Sequence, residues 1–404
     1  MRFTSSVSLF ALSGLFLQVT ARLSVLGHGE KGKIPNSYIV VFYPSVNDTQ
    51  IQEHTHHIST YHARRDLQKR GATAGIRDHF NLEHNGPGFK GYTVECDSQT
   101  LNQILSSPDV KYVEQEGTVT KQVTQKSSTW NLARISWKSL PSAWSYRYQA
   151  TWAGKGTTIY VVDTGVRTTH KEFENRATWG YNAIAGTPNS DQNGHGTHVA
   201  GIAAGKTYGV AKLARIVAVK VLDLNANGKV SYTLAGLNYV SKVAKPGKSV
   251  VNMSLGGARS QSLNDAVEAL YKKGIIVVVA AGNDGDVASA YSPASAKDAI
   301  TVGATDYTDT MAYFSNYGFY IDLLAPGVSV ISSWSTSDTA SKYEDGTSMA
   351  SPHVAGLAAY LLSSTTAIQS PLTIYNKLVS LSLKNIVDFV PSGTANRLAY
   401  NGFA

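Results

Sequence analysis

The sequence contains a single cysteine, Cys96, among its 404 residues. No intramolecular disulfide can form, so stability must come from core packing, with bound metal ions as a further source. Long apolar runs are also missing. The apolar stretch near the N-terminus, residues 7–17, has about ten residues, whereas a helix that spans a bilayer needs about twenty. We therefore expect no membrane anchor.

Long runs of one charge are absent as well. The formal net charge is +8, but the Lys and Arg residues are dispersed, with only short pairs such as residues 64–65 and 69–70. This pattern indicates general surface charge and argues against nucleic-acid binding. A hydrophobic content of 43% with 35 glycines indicates a globular protein, and the length allows two or three domains.

The first segment, residues 1–21, has the features of a secretory signal. Arg2 precedes the apolar stretch, and Thr20 and Ala21 provide small side chains where signal peptidase cuts. We therefore predict that this segment is removed.

The next segment, residues 22–122, has the pattern of a small α+β domain. Runs of β-branched and aromatic residues predict strands, and charged amphipathic runs predict helices. The predicted strands are residues 37–43, 89–95 and 110–114, and the predicted helices are residues 49–69 and 100–106. We interpret residues 118–129 as a linker.

Beyond this linker, short apolar strands alternate with helices. The predicted strands are residues 157–162, 215–221, 249–253, 274–279, 299–302 and 320–324, and the predicted helices are residues 197–204, 232–244, 263–273 and 354–362. This alternation predicts an α/β fold, a mostly parallel sheet with helices on both faces. In such sheets the ligand cleft lies at the carboxyl ends of the strands.

Three polar residues in small or glycine-rich surroundings form a candidate reactive group. Asp163 ends a predicted strand, His195 lies between two glycines, and Ser348 lies in a Gly-Thr-Ser turn before an apolar helix. A serine needs a base to attack a carbonyl, a histidine can serve as that base, and an aspartate can hold the histidine in the correct tautomer. The helix N-terminus behind Ser348 would favour a developing oxyanion. The alternatives are a turn-forming Asp163, a zinc pair of His195 with His198, and a plain capped helix at Ser348.

The order Asp163, His195, Ser348, with these flanking motifs, resembles the subtilisin family of serine peptidases, and most closely its proteinase K-like fungal branch. The resemblance runs from about residue 130 to residue 400. It implies that His195 takes the Ser348 proton and later returns it to the leaving amine, with Asp163 stabilising the imidazolium.

The same resemblance divides the chain. Residues 22–122 correspond to an inhibitory propeptide and residues 123–404 to a subtilisin-like catalytic domain. The register of Trp130 against the family suggests cleavage between Gln122 and Val123. A dibasic cut by another protease after Arg65 or Arg70 is the alternative.

The resemblance also assigns binding residues. Asn283 matches the side-chain donor of the oxyanion hole, which acts together with the Ser348 backbone N–H. Residues 222–230 would flank the substrate on one side. The residues expected to form the walls of the P1 pocket are Ser254, Leu255, Gly256, Gly257, Ala281 and Gly282. Glycine-rich backbone that pairs with a peptide reads little sequence, so we expect broad specificity with an apolar or aromatic P1 residue.

Catalysis needs no cofactor in this family, but a structural calcium ion is expected. Asp322 matches the carboxylate of the strong calcium site, with the backbone carbonyls of Lys297 and Ala299 as further oxygen ligands. The alternative is a plain surface aspartate. The weaker second calcium site is not matched, because Lys138 and Lys384 fall where it needs ligands.

Two departures from the family pattern affect chemistry. Val199 stands where close relatives carry a cysteine, so the mature enzyme should have no thiol. Glu344 and Asp345 precede the Gly-Thr-Ser turn, where relatives have small residues. A carboxylate that approached His195 would raise the pKa of the imidazole, although we expect both side chains to be solvated.

Two sequons and a histidine cluster complete the sequence features. Asn47 and Asn252 are candidate glycosylation sites, and we expect the second, in the cleft strand, to remain unmodified. Seven of the eleven histidines precede residue 123. We hypothesise that their protonation weakens the hold of the propeptide on a basic catalytic domain. The alternative is exposed helix histidines without a role.

Together these features predict a secreted, monomeric, self-processing serine endopeptidase that acts on protein and peptide substrates and is inhibited by its own propeptide. A catalytically inactive binding or antigenic scaffold of the same fold is the alternative class. A vacuolar rather than extracellular location is the alternative destination.

Overall fold

A computed structural model describes residues 23–26, 28, 33–66, 75–82, 89–117 and 122–403. The chain divides into two compact units, residues 1–119 and 120–404. The predicted signal segment and the candidate dibasic site at Arg70 lie outside the described residues. No helix in the described ranges is long and apolar enough to cross a membrane.

The first unit is a five-stranded sheet with two helices, among its described residues. Its strands are β1 (Val25–Leu26), β2 (Lys33–Phe42), β3 (Gly75–Leu82), β4 (Phe89–Glu95) and β5 (Val110–Gly117), and its helices are α1 (Asp48–Asp66) and α2 (Ser98–Leu105). The sheet order is β1-β5-β2-β4-β3. Alternate residues of β2, among them Tyr38, Val40 and Phe42, pack against Ile58 of α1 and Ile104 of α2. This is the α+β unit that the sequence predicted, with β3 as a strand that the sequence did not reveal.

Among the described residues of this unit, two histidines are buried. His54 of α1 hydrogen-bonds through Nε2 to the Tyr92 hydroxyl at 2.9 Å and through Nδ1 to Ser107 Oγ at 3.0 Å. His62 lies against Thr100, with 3.2 Å between Nδ1 and Oγ1. Burial lowers the pKa of His54 to about 4, so the folded unit favours the neutral imidazole.

The second unit contains the remaining elements. Its helices are α3 (Trp130–Arg134), α4 (His195–Ala204), α5 (Val230–Val243), α6 (Gln261–Lys272), α7 (Thr347–Ser363) and α8 (Pro371–Leu381). Its strands are β6 (Gln122–Lys126), β7 (Ser145–Gln149), β8 (Thr158–Asp163), β9 (Ala177–Asn182), β10 (Arg215–Lys220), β11 (Ser249–Met253), β12 (Gly257–Ala258), β13 (Ile276–Ala280), β14 (Tyr291–Ser292), β15 (Ile300–Thr305), β16 (Leu323–Pro326), β17 (Val330–Ser333), β18 (Ser341–Glu344), β19 (Leu383–Lys384) and β20 (Arg397–Leu398). Short 3-10 turns span Lys171–Phe173 and Ala288–Ala290.

The main sheet has the order β9-β10-β8-β11-β13-β15-β16-β20-β19. All neighbours run parallel except β19 and β20, so the predicted mostly parallel sheet is confirmed. Successive residues of β8 face opposite layers, as the strand period requires. Ile159 and Val161 pack against α4 and α7, whereas Tyr160 and Val162 pack against α5 and α6.

Two sequence predictions about backbone structure were wrong. The polar stretch interpreted as a linker contains β6, in which Val123 pairs with Tyr148 of β7. Asp322 lies just before β16 rather than inside a strand. The antiparallel hairpin of β17 and β18, which leads into the Ser348 turn, was not predicted either.

The sheet places the candidate residues at one edge. Asp163 ends β8, Ser254 follows β11, and Asn283 follows β13, and these three strands are neighbours. Because parallel strands share their carboxyl edge, the three positions face one cleft. α4 begins at His195 and α7 begins at Thr347, so both helix N-termini point toward the same edge.

Candidate active site

Asp163 and His195 form a direct pair. The Oδ1 atom of Asp163 lies 2.8 Å from Nδ1 of His195 and also accepts from the Thr164 backbone N–H at 2.7 Å. The Asp163 side chain is fully buried, whereas 22% of the His195 side chain is exposed. The carboxylate therefore fixes one ring nitrogen, and the opposite nitrogen remains available toward the cleft.

The protonation of His195 is set by opposing contributions. Burial alone would lower the pKa of His195, but the charge of Asp163 and its hydrogen bond outweigh burial and raise it. Asp191 and Glu344 add smaller contributions in the same direction. Glu344 is thus not simply solvated, contrary to our expectation, because it lies in β18 beside the site and pairs with Lys342. Asp345 instead accepts from the Ser329 N–H at 2.5 Å.

Ser348 occupies the second position of α7. Its hydroxyl donates to the Ser254 carbonyl oxygen at 3.2 Å, and the Ser254 hydroxyl donates to the Ser348 carbonyl oxygen at 2.8 Å. This reciprocal pair ties the start of α7 to the end of β11. Among the described residues, the Ser348 hydroxyl therefore bonds to Ser254 rather than to His195.

Asn283 is held by Thr347, the residue before Ser348. The Asn283 Oδ1 atom accepts from the Thr347 N–H and from the Thr347 hydroxyl, both at 2.8 Å. With Oδ1 engaged, the Nδ2 donor of Asn283 is directed away from Thr347. Ser348 N–H belongs to the first turn of α7, where a helix leaves its amides without intrahelical acceptors. The start of α7 therefore brings together a side-chain amide and a backbone N–H of its first turn.

A cavity of about 340 Å³ adjoins this group. One wall is the backbone of Leu255, Gly256 and Gly257, and the opposite wall is residues 280–284. The lining combines small residues with Asn283, Asp284, Tyr291 and several hydroxyls, and slightly more of its surface is polar than apolar. A second cavity of about 430 Å³ is lined by His195, residues 222 and 226–230, and residues 254–258. The six residues expected to form the walls of the P1 pocket each line one of these two cavities, and residues 222 and 226–230 of the predicted flanking segment line the second.

Sequence reasoning did not identify a buried network behind this wall. Ser351 Oγ donates to Asn252 Oδ1 at 2.8 Å, and Asn252 Nδ2 donates to Ser254 Oγ at 2.9 Å. The Asn252 side chain is buried with both amide atoms bonded, so the folded chain offers no site for a glycan there. Asn47 is exposed, and its Oδ1 accepts from the Gln50 N–H at the start of α1.

His198 is occupied by backbone contacts. Its Nε2 atom lies 3.1 Å from the Val330 carbonyl oxygen and 2.9 Å from that of Lys342, and burial lowers its pKa to about 3. His195 and His198 thus contact different partners. The described residues contain no group of three or more His, Cys, Asp or Glu side chains arranged to hold a metal ion.

Asp322 lies between two further cavities, of about 220 and 480 Å³, which both reach Lys297 and Ala299. Its carboxylate accepts from the Thr301 N–H at 2.8 Å and from the Tyr375 hydroxyl at 3.1 Å. Burial raises the pKa of Asp322 to about 6. A half-buried carboxylate that accepts two hydrogen bonds does not fit a plain surface aspartate.

Comparison with known proteins identifies the class. The description "Subtilase family" matches residues 154–389, and the description "Peptidase inhibitor I9" matches residues 37–122. The chain therefore belongs to the subtilase family, as the order of Asp163, His195 and Ser348 predicted. It is a subtilisin-like serine endopeptidase with an inhibitor-type propeptide.

Individual relatives agree with this assignment. The chain is 46% identical to a cuticle-degrading serine protease of Arthrobotrys oligospora over 98% of both chains. It is 47% identical to subtilisin-like protease 2 of Pseudogymnoascus destructans, again over 98% of both chains, and 42% identical to alkaline protease 1 of Aspergillus oryzae over 92% of both chains. The crystal structure of a cold adapted subtilisin-like serine proteinase aligns with a TM-score of 0.64 and 41% identity, covering 68% of this chain and 98% of the other.

Proposed function

We propose that this chain is the precursor of a secreted serine endopeptidase of broad specificity that hydrolyses proteins through an acyl-enzyme. The observation that carries the proposal is the 2.8 Å contact between buried Asp163 and His195, at the sheet edge where Thr347, the neighbour of Ser348, bonds to Asn283. His195 takes the Ser348 proton during attack and returns it to the leaving amine. Asp163 holds the tautomer of His195 and stabilises the imidazolium.

The oxyanion of the tetrahedral intermediate is stabilised by the Asn283 amide and the Ser348 N–H. Thr347 supports this role, because its two bonds to Asn283 Oδ1 fix the orientation of the amide and leave its Nδ2 donor for the oxyanion. Donors fixed before the reaction need no reorganisation as charge develops, which is why such groups contribute strongly to rate.

The substrate pairs with the backbone of residues 254–257 as an added strand. On one side Gly257 already pairs with Ser292 of β14, and residues 254–257 line both cavities of the cleft. Backbone pairing accepts many sequences, which accounts for broad specificity. Small residues on both walls of the 340 Å³ cavity leave room for an apolar or aromatic P1 side chain.

A structural calcium ion is held by Asp322 with the carbonyl oxygens of Lys297 and Ala299. The donor set supports this, since these are oxygen ligands around a half-buried carboxylate. The ion would add positive charge beside that carboxylate and would take no part in the chemistry.

Covalent labelling tests the function. Wild-type enzyme should react with a fluorophosphonate probe, whereas Ser348→Ala should not react and should persist as a precursor that carries residues 22–122. Ser341→Ala, a change at an exposed residue of β18, should behave as wild type. Labelling of Ser348→Ala, or its processing when no other protease is present, would contradict the proposal.

Maturation and destination have their own readouts. N-terminal sequencing of the mature wild type should begin at Val123, and size-exclusion chromatography should give a monomer. Mature enzyme in the culture medium supports secretion, whereas retention in the cell supports the vacuolar alternative. A glycosidase that shifts the precursor but leaves an Asn47→Gln precursor unchanged identifies the occupied sequon.

A further inference from the structure

The carboxylate of Asp191 lies between the segments that carry Asp163 and His195, and no part of the mechanism above uses it. Its residue is only 7% exposed. The Oδ1 atom accepts from the Thr164 hydroxyl at 2.8 Å, the Asn193 N–H at 3.1 Å and the Gly194 N–H at 2.8 Å. The Oδ2 atom accepts from the Thr197 N–H at 2.9 Å and from the Thr197 hydroxyl at 2.5 Å. All five partners are donors.

These partners join two parts of the chain that are distant in sequence. Thr164 directly follows Asp163, and its hydroxyl also accepts from the Gly196 N–H at 2.9 Å. Gly194 and Thr197 flank His195. The Asp191 carboxylate therefore connects the end of β8 to the first turn of α4, which are the two segments whose separation sets the Asp163–His195 contact.

The start of α4 needs an external acceptor. Its N-cap is Gly194, with a backbone φ of +114°, and glycine has no side chain to accept from the free N–H groups of the first turn. Asp191 supplies that acceptor from outside the helix. A change at Asp191 would thus release the turn that contains His195 itself.

The side chain of Lys220 is a second buried group that holds the residues following β8 and β10. The Lys220 ammonium is buried and donates to the carbonyl oxygens of Thr164 and Leu222, both at 2.7 Å. The positive charge lies beside Asp163 and Asp191 and offsets part of the negative charge gathered there. The neighbourhood is therefore an organised set of buried charges, and Asp191 is the member in contact with both catalytic segments.

We propose that Asp191 is a positioning residue for the reaction, which fixes the Asp163–His195 geometry through Thr164 and the first turn of α4 and favours the imidazolium that forms during catalysis. The proposal rests on the function proposed above. Asp191 touches neither substrate nor the reacting atoms. Its effect passes through His195, so it is visible in kcat and in the pH profile rather than in KM.

The charged and titratable groups near His195 define what the pH profile reports. Asp163 approaches from β8, Asp191 from the loop before α4, Glu344 from β18, and His198 from the next turn of α4. Asp163, Asp191 and Glu344 favour the protonated ring. Loss of the Asp191 charge alone should therefore lower the pKa that governs the acid limb of kcat/KM.

The experiment compares four full-length forms, each matured and titrated for active sites with the fluorophosphonate probe. Asp191→Asn keeps the shape and one acceptor oxygen but removes the charge, and we expect kcat to fall about 10- to 100-fold with little change in KM. We also expect its acid limb to move to lower pH. Thr164→Val keeps the Asp191 charge but removes the bond to Asp191 and the acceptor of the Gly196 N–H, which both link the end of β8 to α4. It should lower kcat less, with no movement of the acid limb. Asp338→Asn, which removes an exposed carboxylate paired with Arg167, should match wild type.

Two results would overturn the proposal. One is a folded Asp191→Asn enzyme whose kcat and acid limb match those of wild type. If Asp191→Asn cannot be recovered as a folded protein, Thr164→Val provides the test. A Thr164→Val enzyme with the kcat of wild type would then refute the link between β8 and α4. Failure of the wild type to react with the probe would instead refute the proposed function, so the two failures are distinguishable.

Discussion

Gly196, the second residue of α4, is where the helix that carries His195 comes closest to the strand end that carries Asp163. A Cβ atom at this position would lie 2.1 Å from the Gly165 carbonyl oxygen and 3.1 Å from both Cβ and Oδ1 of Asp163. Real Cβ atoms do not approach other atoms closer than about 3.0 Å. The change Gly196→Ala must therefore separate the two segments by about 1 Å.

The size of the effect follows from that displacement. The contacting atom is backbone rather than the end of a flexible side chain, so the strain cannot be relieved by a rotamer change. The gain in helix propensity of about 1 kcal/mol does not restore the geometry. Because a misplacement of about 1 Å at a catalytic group can cost about 100-fold in rate, we expect kcat to fall by about that factor.

The assay is kcat on a fluorogenic peptide, normalised to sites titrated with the fluorophosphonate probe, together with the Tm of each protein. Gly201→Ala is the matched control, because its Cβ in the same helix would lie 2.2 Å from Ser332 Oγ and 2.3 Å from Ser333 Oγ. Those hydroxyls can turn away, and neither belongs to the reactive group. We expect Gly201→Ala to lower Tm but to keep kcat within about threefold of wild type. A folded Gly196→Ala enzyme with kcat in that same range would refute the reasoning.

Three further predictions concern calcium, the propeptide and P1 preference. At a calcium concentration of about 100 times Kd, the bound ion adds about 2.7 kcal/mol to the free energy of unfolding. A chelator should therefore lower the Tm of wild type by about 5–10 °C and leave the Tm of Asp322→Asn almost unchanged. Because the pKa of buried His54 is about 4 against an ordinary 6.5, its contribution to folding is complete above pH 6.5 and is lost as pH falls toward 4. The first unit of the Ser348→Ala precursor should therefore lose about 2 kcal/mol of its free energy of unfolding between pH 7.5 and pH 5, whereas the same precursor with His54→Gln should lose much less. Equal losses in the two proteins would exclude His54 as the cause. The His54 ring faces Tyr92, His57 and Asp109. Asp284 lines the P1 cavity. The change Asp284→Asn should lower the ratio of kcat/KM for P1 Lys over P1 Met by about 1.5- to 5-fold at low salt. An unchanged ratio would place the P1 side chain out of reach of this charge.

The parallel sheet was predictable because its strands are short apolar runs between helical patterns. The run before Asp163 predicts a strand buried on both faces, and the end of such a strand is where a cleft forms. His195, Asn283 and Ser348 were predictable for a similar reason. Each lies beside glycines, at the point where an apolar element begins or ends.

The elements that escaped prediction carry weak local signals. β6 is polar apart from Val123, and it is a strand only because Val123 and its neighbours pair with β7, which lies about twenty residues further along the chain. β17 and β18 are four residues long each and show no apolar alternation. They form strands because they pair with each other and contact α4. Such strands are determined by tertiary context, which a single sequence does not display.

The supporting residues of the site escaped prediction for a different reason. Asp191 lies in a polar stretch, Asn-Ser-Asp-Gln-Asn-Gly, whose composition indicates a turn and nothing more. Its role depends on the approach of Thr164 from another strand. Asn252 and Thr347 likewise act through partners more than sixty residues away. Catalytic residues can be recognised from a local sequence motif, whereas the residues that position them are recognised only when the structure shows which distant segments come together.

Asp163 and Asp191 show how environment gives two buried carboxylates different tasks. Asp191 accepts five hydrogen bonds, so its charge is satisfied and its geometry is fixed. Asp163 accepts from the Thr164 N–H and contacts His195, and its Oδ2 atom has no hydrogen-bond partner in the described part of the chain. A poorly solvated carboxylate interacts more strongly with an adjacent cation, because fewer donors compete for its charge and the surroundings screen it less. The raised pKa of His195 agrees with that difference. Asp191, whose carboxylate is fully hydrogen-bonded, thus positions the site, whereas Asp163, whose carboxylate has fewer donors, stabilises the imidazolium. This is the pattern by which paired acids acquire separate roles.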